Sequence, residues 1–158
     1  MGFNIAGVVI NKNYKDNLNQ LNEDMGLDFS KAEEITFEVA SSNWKEEGIC
    51  DAYFCEMGTI LFMNHENCLE GTSITNGINV FTFAMSEVTM TFLFSYYEGE
   101  LLVREFMAHE GEKENELGEP LPSEAGTDES GATFNQIGAV LGKSFWDIDL
   151  AEKAYRLS

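Results

Sequence analysis

Three cysteines and one histidine are the side chains best suited to bind a metal. Thiolate and imidazole are ligands that zinc prefers. The four candidates are Cys50, Cys55, His65 and Cys68. Their spacing is a poor match to zinc-binding patterns. If Cys50 and Cys55 share a strand, their odd separation places them on opposite faces. We therefore predict that the protein binds no zinc and needs no cofactor.

A second set of residues could perform acid–base chemistry. Glu87 stands beside Ser86 near a predicted strand end, and Glu105 and His109 follow on the next strand. A carboxylate and an imidazole can exchange protons with a substrate if they share a pocket. The alternative is that they are solvated surface groups. The chain shows no nucleophile elbow, phosphate loop or metalloprotease motif, so an enzyme is the less favoured hypothesis.

The charge composition points instead to binding. The formal net charge is −19, from 28 acidic and 9 basic side chains. Nucleic acids and anionic membranes attract cationic proteins, so the composition disfavours both as partners. A basic protein partner is favoured, because opposite charges accelerate association. The competing interpretation is that the charge serves solubility alone.

The acidic side chains are concentrated in one segment, residues 110–130. We interpret this segment as an exposed, mobile loop, since it is rich in carboxylates and contains two prolines. It lacks the residue order of a twelve-residue calcium-binding loop. We expect a negatively charged contact surface here. The candidate partner-binding residues are Glu110, Glu112, Glu114 and Glu116.

Cysteine usage indicates the compartment. The cysteine count is odd and no secretory leader is recognisable at the start of the sequence, which together favour a reducing cytoplasm. No apolar run approaches the ~18 residues of a membrane span.

The elements that must position these residues are built around Gly77–His109. Apolar residues occupy alternate positions up to Met85 and again from Val88, but the phase changes between them. Alternation is the signature of a half-buried strand. A two-residue hairpin at Ser86-Glu87 would place Met85 opposite Val88, and a bulge in one long strand is the alternative. We prefer the hairpin and expect Phe92 in the core.

A second turn follows at Glu98-Gly99, where glycine supplies a positive φ. One register places Phe94 opposite Val103. A loop one residue longer brings Leu102 and Phe106 to the core face, and the sequence leaves both registers open.

The rest of the chain predicts an α+β fold. We expect a mainly antiparallel sheet of about five to seven strands, with two or three helices packed on one face, in a single domain spanning residues 1–158. Beyond the central sheet, the predicted strands are 3–10, 35–39, 50–55 and 59–63, with an edge strand or docked tail at 154–157; the predicted helices are 14–25 and 132–141.

Three stretches carry a family resemblance. They are Ser-Glu-Val-Thr-Met-Thr from Ser86, Tyr-Tyr-Glu-Gly-Glu-Leu-Leu-Val-Arg from Tyr96, and Ser-Phe-Trp-Asp-Ile-Asp-Leu from Ser144. Together they resemble small, uncharacterised acidic α+β proteins of bacteria, some of which serve as immunity partners of toxins. The resemblance implies a non-catalytic module that neutralises a basic protein, and it transfers no site residues.

Overall fold

A single antiparallel sheet of nine strands organises the protein. The structure, a computed structural model, describes residues 3–64 and 78–158. The strands are β1 (Asn4–Ile10), β2 (Ala32–Thr36), β3 (Cys50–Cys55), β4 (Gly58–Met63), β5 (Asn79–Ser86), β6 (Thr91–Glu98), β7 (Leu101–His109), β8 (Glu112–Leu117) and β9 (Lys153–Leu157). Their spatial order is β2-β9-β3-β4-β1-β5-β6-β7-β8, so β2 and β8 are the outer strands.

Within the described residues, three α-helices cover both faces of this sheet rather than one. They are α1 (Leu18–Met25), α2 (Phe37–Ala40) and α3 (Glu129–Leu141). Leu21 of α1 packs with Val8 on one face, whereas Phe37 of α2 and Ile137 of α3 pack with Val9 on the other. Both faces of β1 are thus buried, which its unbroken apolar sequence permits. The α+β class and the antiparallel sheet are confirmed; the strand number was too low, and packing on one face was wrong.

The hairpin of β5 and β6 has a longer turn than predicted. Met85 pairs with Phe92 instead of Val88, because residues 87–90 form the turn. Val88 is consequently exposed. Four of the six residues in the Ser-Glu-Val-Thr-Met-Thr stretch that begins at Ser86 therefore form this turn instead of a strand. Since the register moved by an even number of residues, the alternating residues keep their faces, and Phe92 is buried as predicted.

The following hairpin combines features of both predicted registers. Glu98 pairs with Leu101, so the turn is Gly99-Glu100. The register then shifts by one residue between Tyr96 and Tyr97. This bulge brings Phe106 opposite Phe94 on the core face, as the longer-loop alternative predicted. The same alternative was wrong for Leu102, which lies opposite Tyr97 on the other face.

The acidic segment 110–130 is more structured than the predicted loop. It contains β8 and a 3₁₀ helix at Pro122–Glu124, and its last residues begin α3. The loop interpretation was therefore wrong for these parts. Its predicted exposure is correct for β8, all of whose residues are exposed.

Two other local predictions need correction. The strand predicted at 35–39 ends at Thr36, whose hydroxyl accepts a hydrogen bond from the Val39 backbone N–H and caps α2. The carboxy-terminal segment is an interior strand, not an edge, because β9 lies between β2 and β3. Within the described residues, no helix is both long and apolar enough to span a membrane.

Candidate functional site

The two described cysteines, Cys50 and Cys55, do not lie on the same side of the sheet. Cys50 packs into the cluster under α1, whereas Cys55 packs on the side of α2 and α3. Two thiolates on opposite sides of one strand cannot bind the same ion. His65 and Cys68 lie outside the described residues.

The acid–base candidates are also dispersed. Both carboxylate oxygens of Glu87 are engaged: Oε1 accepts the Phe3 backbone N–H at 2.8 Å and Oε2 accepts the Ser130 hydroxyl at 2.7 Å. Glu105 accepts a hydrogen bond from a serine on β6, and His109 lies 3.0 Å from the Thr91 hydroxyl. Glu105 and His109 are four positions apart on β7, a distance of about 13 Å along the strand. These three groups therefore do not share a pocket.

One of the two cavities lined by described residues lies beside the start of α1. It has a volume of about 430 Å³, and its lining includes Tyr14, Phe54 and Tyr155. The Tyr14 hydroxyl donates to Asp24 at 2.7 Å, and burial with this carboxylate raises the pKa of Tyr14 well above its ordinary value. Tyr14 therefore stays protonated and is no base. Neither cavity is lined by Glu87, Glu105 or His109.

A lysine–tyrosine pair beside α3 is stabilised rather than activated. Lys143 Nζ lies 3.2 Å from the Tyr53 hydroxyl and 3.2 Å from Glu152 Oε2. Burial raises the pKa of Tyr53, and the hydrogen bond to Tyr53 raises the pKa of Lys143. Both groups thus hold their protons more firmly than in water, which is the opposite of what a nucleophile or base requires.

The hairpin of β7 and β8 is where the predicted partner-binding residues lie. Its turn is Glu110-Gly111, with φ values of 50° and 86°, the geometry of a tight type I′ connection. Residues directly opposite each other in adjacent strands share a face of the sheet. The hairpin therefore has two faces of different character. The helix face consists of Arg104, Phe106, Ala108, Lys113 and Glu116, and the open face consists of Glu105, Met107, His109, Glu112, Glu114 and Leu117.

On the helix face, a buried arginine neutralises the carboxylates. Arg104 is fully buried, and its Nε and Nη2 donate to the two carboxylate oxygens of Glu124 at 3.0 and 2.8 Å. Its Nη1 donates to the Gly118 carbonyl and lies 3.2 Å from Glu116 Oε2. Such a two-pronged pair satisfies a guanidinium that would otherwise be costly to bury. The cluster joins β7, β8 and the 3₁₀ helix.

The same contacts set the ionisation of Glu124. Burial alone would raise the pKa of this carboxyl. The hydrogen bonds from Arg104, from the Leu121 backbone N–H and from Lys113 outweigh burial and lower the pKa below its ordinary value. Glu124 is thus held as a carboxylate within the protein.

On the open face, the carboxylates have no cation beside them. Glu112 and Glu114 are exposed and form no ion pair with any described residue. Met107 and Leu117 lie among them, 44% and 46% exposed. The open face therefore presents two apolar side chains bordered by negative charge.

A bulge in β8 determines which of its residues lie on the helix face and which lie on the open face. Between the pairs Met107–Glu114 and Glu105–Leu117, β8 contains one more residue than β7, and Asn115 has a φ of 53°. Asparagine tolerates this left-handed conformation better than most residues. Without the extra residue, alternation would place Glu116 on the open face and Leu117 against the helices. Of the four predicted residues, the structure thus separates Glu116 from the other three.

Glycine is required just beyond this bulge. Gly118 has a φ of 80°, and a Cβ there would lie 1.9 Å from the Val103 carbonyl oxygen. This close approach allows the Gly118 carbonyl to reach Arg104.

Sequence reasoning missed Arg104 and Glu124. A signal for Arg104 was present, since it alternates with Phe106 and Ala108, both core residues. The sequence leaves two registers open for β7, so the alternation of these residues does not reveal which face of the sheet they occupy. Glu124 had no sequence signal that distinguishes it from its acidic neighbours.

The comparisons with known proteins add no assignment. No known protein family, curated protein or solved structure matches this chain.

Proposed function

We propose that the protein is a non-catalytic binding module that neutralises a basic protein partner, in the manner of an immunity protein. The open face and the turn of the β7–β8 hairpin are the proposed contact surface. The proposed contact residues are Glu110, Glu112 and Glu114. Glu116 contributes less, because its carboxylate is engaged by Arg104. The proposed location is the cytoplasm, on the argument from cysteine usage.

The main support for the proposal is that most of the few basic side chains are paired with carboxylates of the protein itself. Seven of the nine basic side chains form ion pairs with carboxylates of the described residues. The carboxylates in these pairs are Glu34, Asp24, Asp51, Glu116, Glu124 and Glu152. Most of the protein's 28 acidic side chains are not among these six, so the negative potential is left to act outward.

The placement of the cations strengthens this point. Arg104 and Lys45 are buried and face inward, where their charges compensate carboxylates of the fold. Asp51, fully buried, is bound both by Lys45 and by Arg156 at 2.9 and 2.8 Å. A positively charged protein approaching the surface would therefore meet few repelling groups.

An acid–base enzyme is the weaker alternative. Its support was the presence of Glu87, Glu105 and His109, and these groups lie apart. The pKa values of Tyr14 and Tyr53 are raised, mainly by burial. No observation specifically favours catalysis.

The test compares two charge-neutralised variants of the full chain. The first is E110Q/E112Q/E114Q, on the proposed surface. The matched control is E46Q/E47Q/E56Q, which removes the same charge from exposed positions elsewhere. Each variant is immobilised and exposed to an extract of the native host, and captured proteins are identified by mass spectrometry. A partner of the proposed kind is basic, is lost by the first variant and is retained by the control.

Association kinetics of that partner provide the quantitative test. Neutralising the proposed surface should slow association by about tenfold at low salt, within the range by which electrostatic steering changes on-rates. The control should differ little from the natural protein. Equal on-rates for the two variants would contradict the assignment of the surface, and an on-rate indifferent to salt in all three proteins would contradict the electrostatic proposal itself.

A further inference from the structure

The centre of the open face is apolar. Met107 lies opposite Leu93 on one side and Glu114 on the other. Leu117, on the same face, lies opposite Glu105. Two large apolar side chains, each almost half exposed, are thus set in a border of carboxylates.

The bulge at Asn115 creates this arrangement against the usual preference for burial. It places Leu117 on the open face and Glu116 on the helix face, 3.2 Å from Arg104. Exposed apolar area costs the isolated protein roughly 25 cal/mol per Å² relative to burial. Bulges commonly re-aim side chains at functional positions. An outward leucine beside an outward methionine therefore indicates a surface that gains from being covered.

We propose that the open face binds a partner segment in which an apolar side chain lies between cationic ones. The apolar side chain packs across Met107 and Leu117, and the cations reach Glu105, Glu112 and Glu114. Charge complementarity selects this occupant, since a second copy of this chain would bring the same carboxylates to the contact. This inference rests on the proposed function and specifies the chemistry of its partner.

The two kinds of contact have separate kinetic effects. Exposed carboxylates act at a distance and raise the rate of encounter, whereas apolar contacts form only in the docked complex and slow dissociation. Changes to Met107 and Leu117 should therefore lower affinity without altering its salt dependence.

The test uses two synthetic peptides of equal length as probes. One alternates lysine and leucine, and the other is oligolysine. Binding to the full-length protein is measured by fluorescence anisotropy. The natural protein should bind the alternating peptide about tenfold more tightly. The variant M107A/L117A should lose most of that preference while still binding oligolysine as the natural protein does.

A matched control removes an exposed apolar side chain at a distance from the open face. Trp146 is 63% exposed and packs on Phe3, Phe134 and Phe145 beside α3. W146A should keep the preference for the alternating peptide. Circular dichroism and the single variants M107A and L117A verify that a loss of preference does not reflect unfolding.

Other results would contradict this inference, and one of them would contradict the proposed function as well. If M107A/L117A retains the preference, or if W146A loses it, the apolar contact is not on the open face and this inference is overturned, while the proposed function stands. If the natural protein binds oligolysine as tightly as the alternating peptide, the partner needs no apolar side chain and the inference is again overturned. If it binds neither peptide, the proposed function fails as well.

Discussion

The two faces of the β7–β8 hairpin use the same residue types in opposite ways. On the helix face, Glu116 and Glu124 surround a buried arginine, and their charges belong to the fold. On the open face, Glu112 and Glu114 have no cation partner among the described residues. This difference shows that the negative charge of the protein is not distributed uniformly over its surface. Carboxylates near its few cations are engaged within the fold, whereas Glu112 and Glu114 remain exposed.

Neighbouring residues of one strand show the same contrast in apolar side chains. Phe106 is fully buried and stacks on Phe94 with ring centroids 4.7 Å apart, whereas Met107 is almost half exposed. Alternation in a strand produces both environments from adjacent positions.

Removing Arg104 should have the largest effect. R104M leaves Glu124 buried without its main partner, and loss of one member of a buried pair typically costs about 3–5 kcal/mol. Urea unfolding measures this change. The double variant R104M/E124L should be more stable than R104M, because no unpaired charge remains. A double variant no more stable than the single one would show that the pair does not compensate buried charge.

Truncating Phe106 and truncating Met107 should have different effects on stability, because the two side chains lie on opposite faces of the hairpin. F106A should lower the free energy of unfolding by about 3–5 kcal/mol, as removal of a buried aromatic does. M107A should change it by less than about 1 kcal/mol, because Met107 is almost half exposed and lies outside the buried core. Thermal unfolding of both variants provides the comparison. Similar costs at the two positions would contradict the division into faces.

The bulge should be sensitive to the residue at its centre. N115V introduces a β-branched side chain at a φ of 53° and should cost about 1–2 kcal/mol. N115G should be nearly neutral, since glycine adopts this conformation freely. Denaturant midpoints of the two variants measure the difference. If N115V were as stable as N115G, the strained geometry assigned to the bulge would be wrong.

Acid should weaken the helix face through protonation of Glu124. Because the pKa of Glu124 is lowered by folding, the unfolded chain binds a proton more readily, and stability rises with pH across this titration. The contribution is present above the ordinary value of 4.5 and is lost as the pH falls through the lowered pKa.

The control for this pH effect is E124Q, which cannot titrate at that position. E124Q should be less stable than the natural protein near neutral pH, and the gap should narrow below about pH 4.5. Urea midpoints measured across the acid range give the gap directly. A gap independent of pH would mean that the Glu124 carboxylate contributes nothing through its charge.

Much of the central sheet could be predicted from sequence because its cause is local. Alternation in β6 reflects burial of one face, which is written into every second residue. The register of this hairpin could not be predicted, since the turn at residues 87–90 has no tight-turn signature. The even shift nonetheless preserved the core position of Phe92.

The remaining features depend on partners distant in sequence. Strand β8 carries almost no apolar residues, and it pairs because β7 presents an available edge. Strand β9 enters between β2 and β3, a position set by the whole sheet. The candidate site was predicted as a charged segment, but the bulge that divides Glu114 from Glu116 is a property of backbone geometry that composition does not encode.

The measurement that tests the division of faces most directly follows the methionine methyl groups by NMR during titration with the alternating lysine–leucine peptide. The seven methionines report from different parts of the protein. Met107 lies on the open face, Met85 is buried, and Met57 is exposed in the turn between β3 and β4. We predict that the Met107 signal shifts strongly while those of Met85 and Met57 do not. A shift at Met57 with Met107 unchanged would contradict the assignment of the open face as the binding surface.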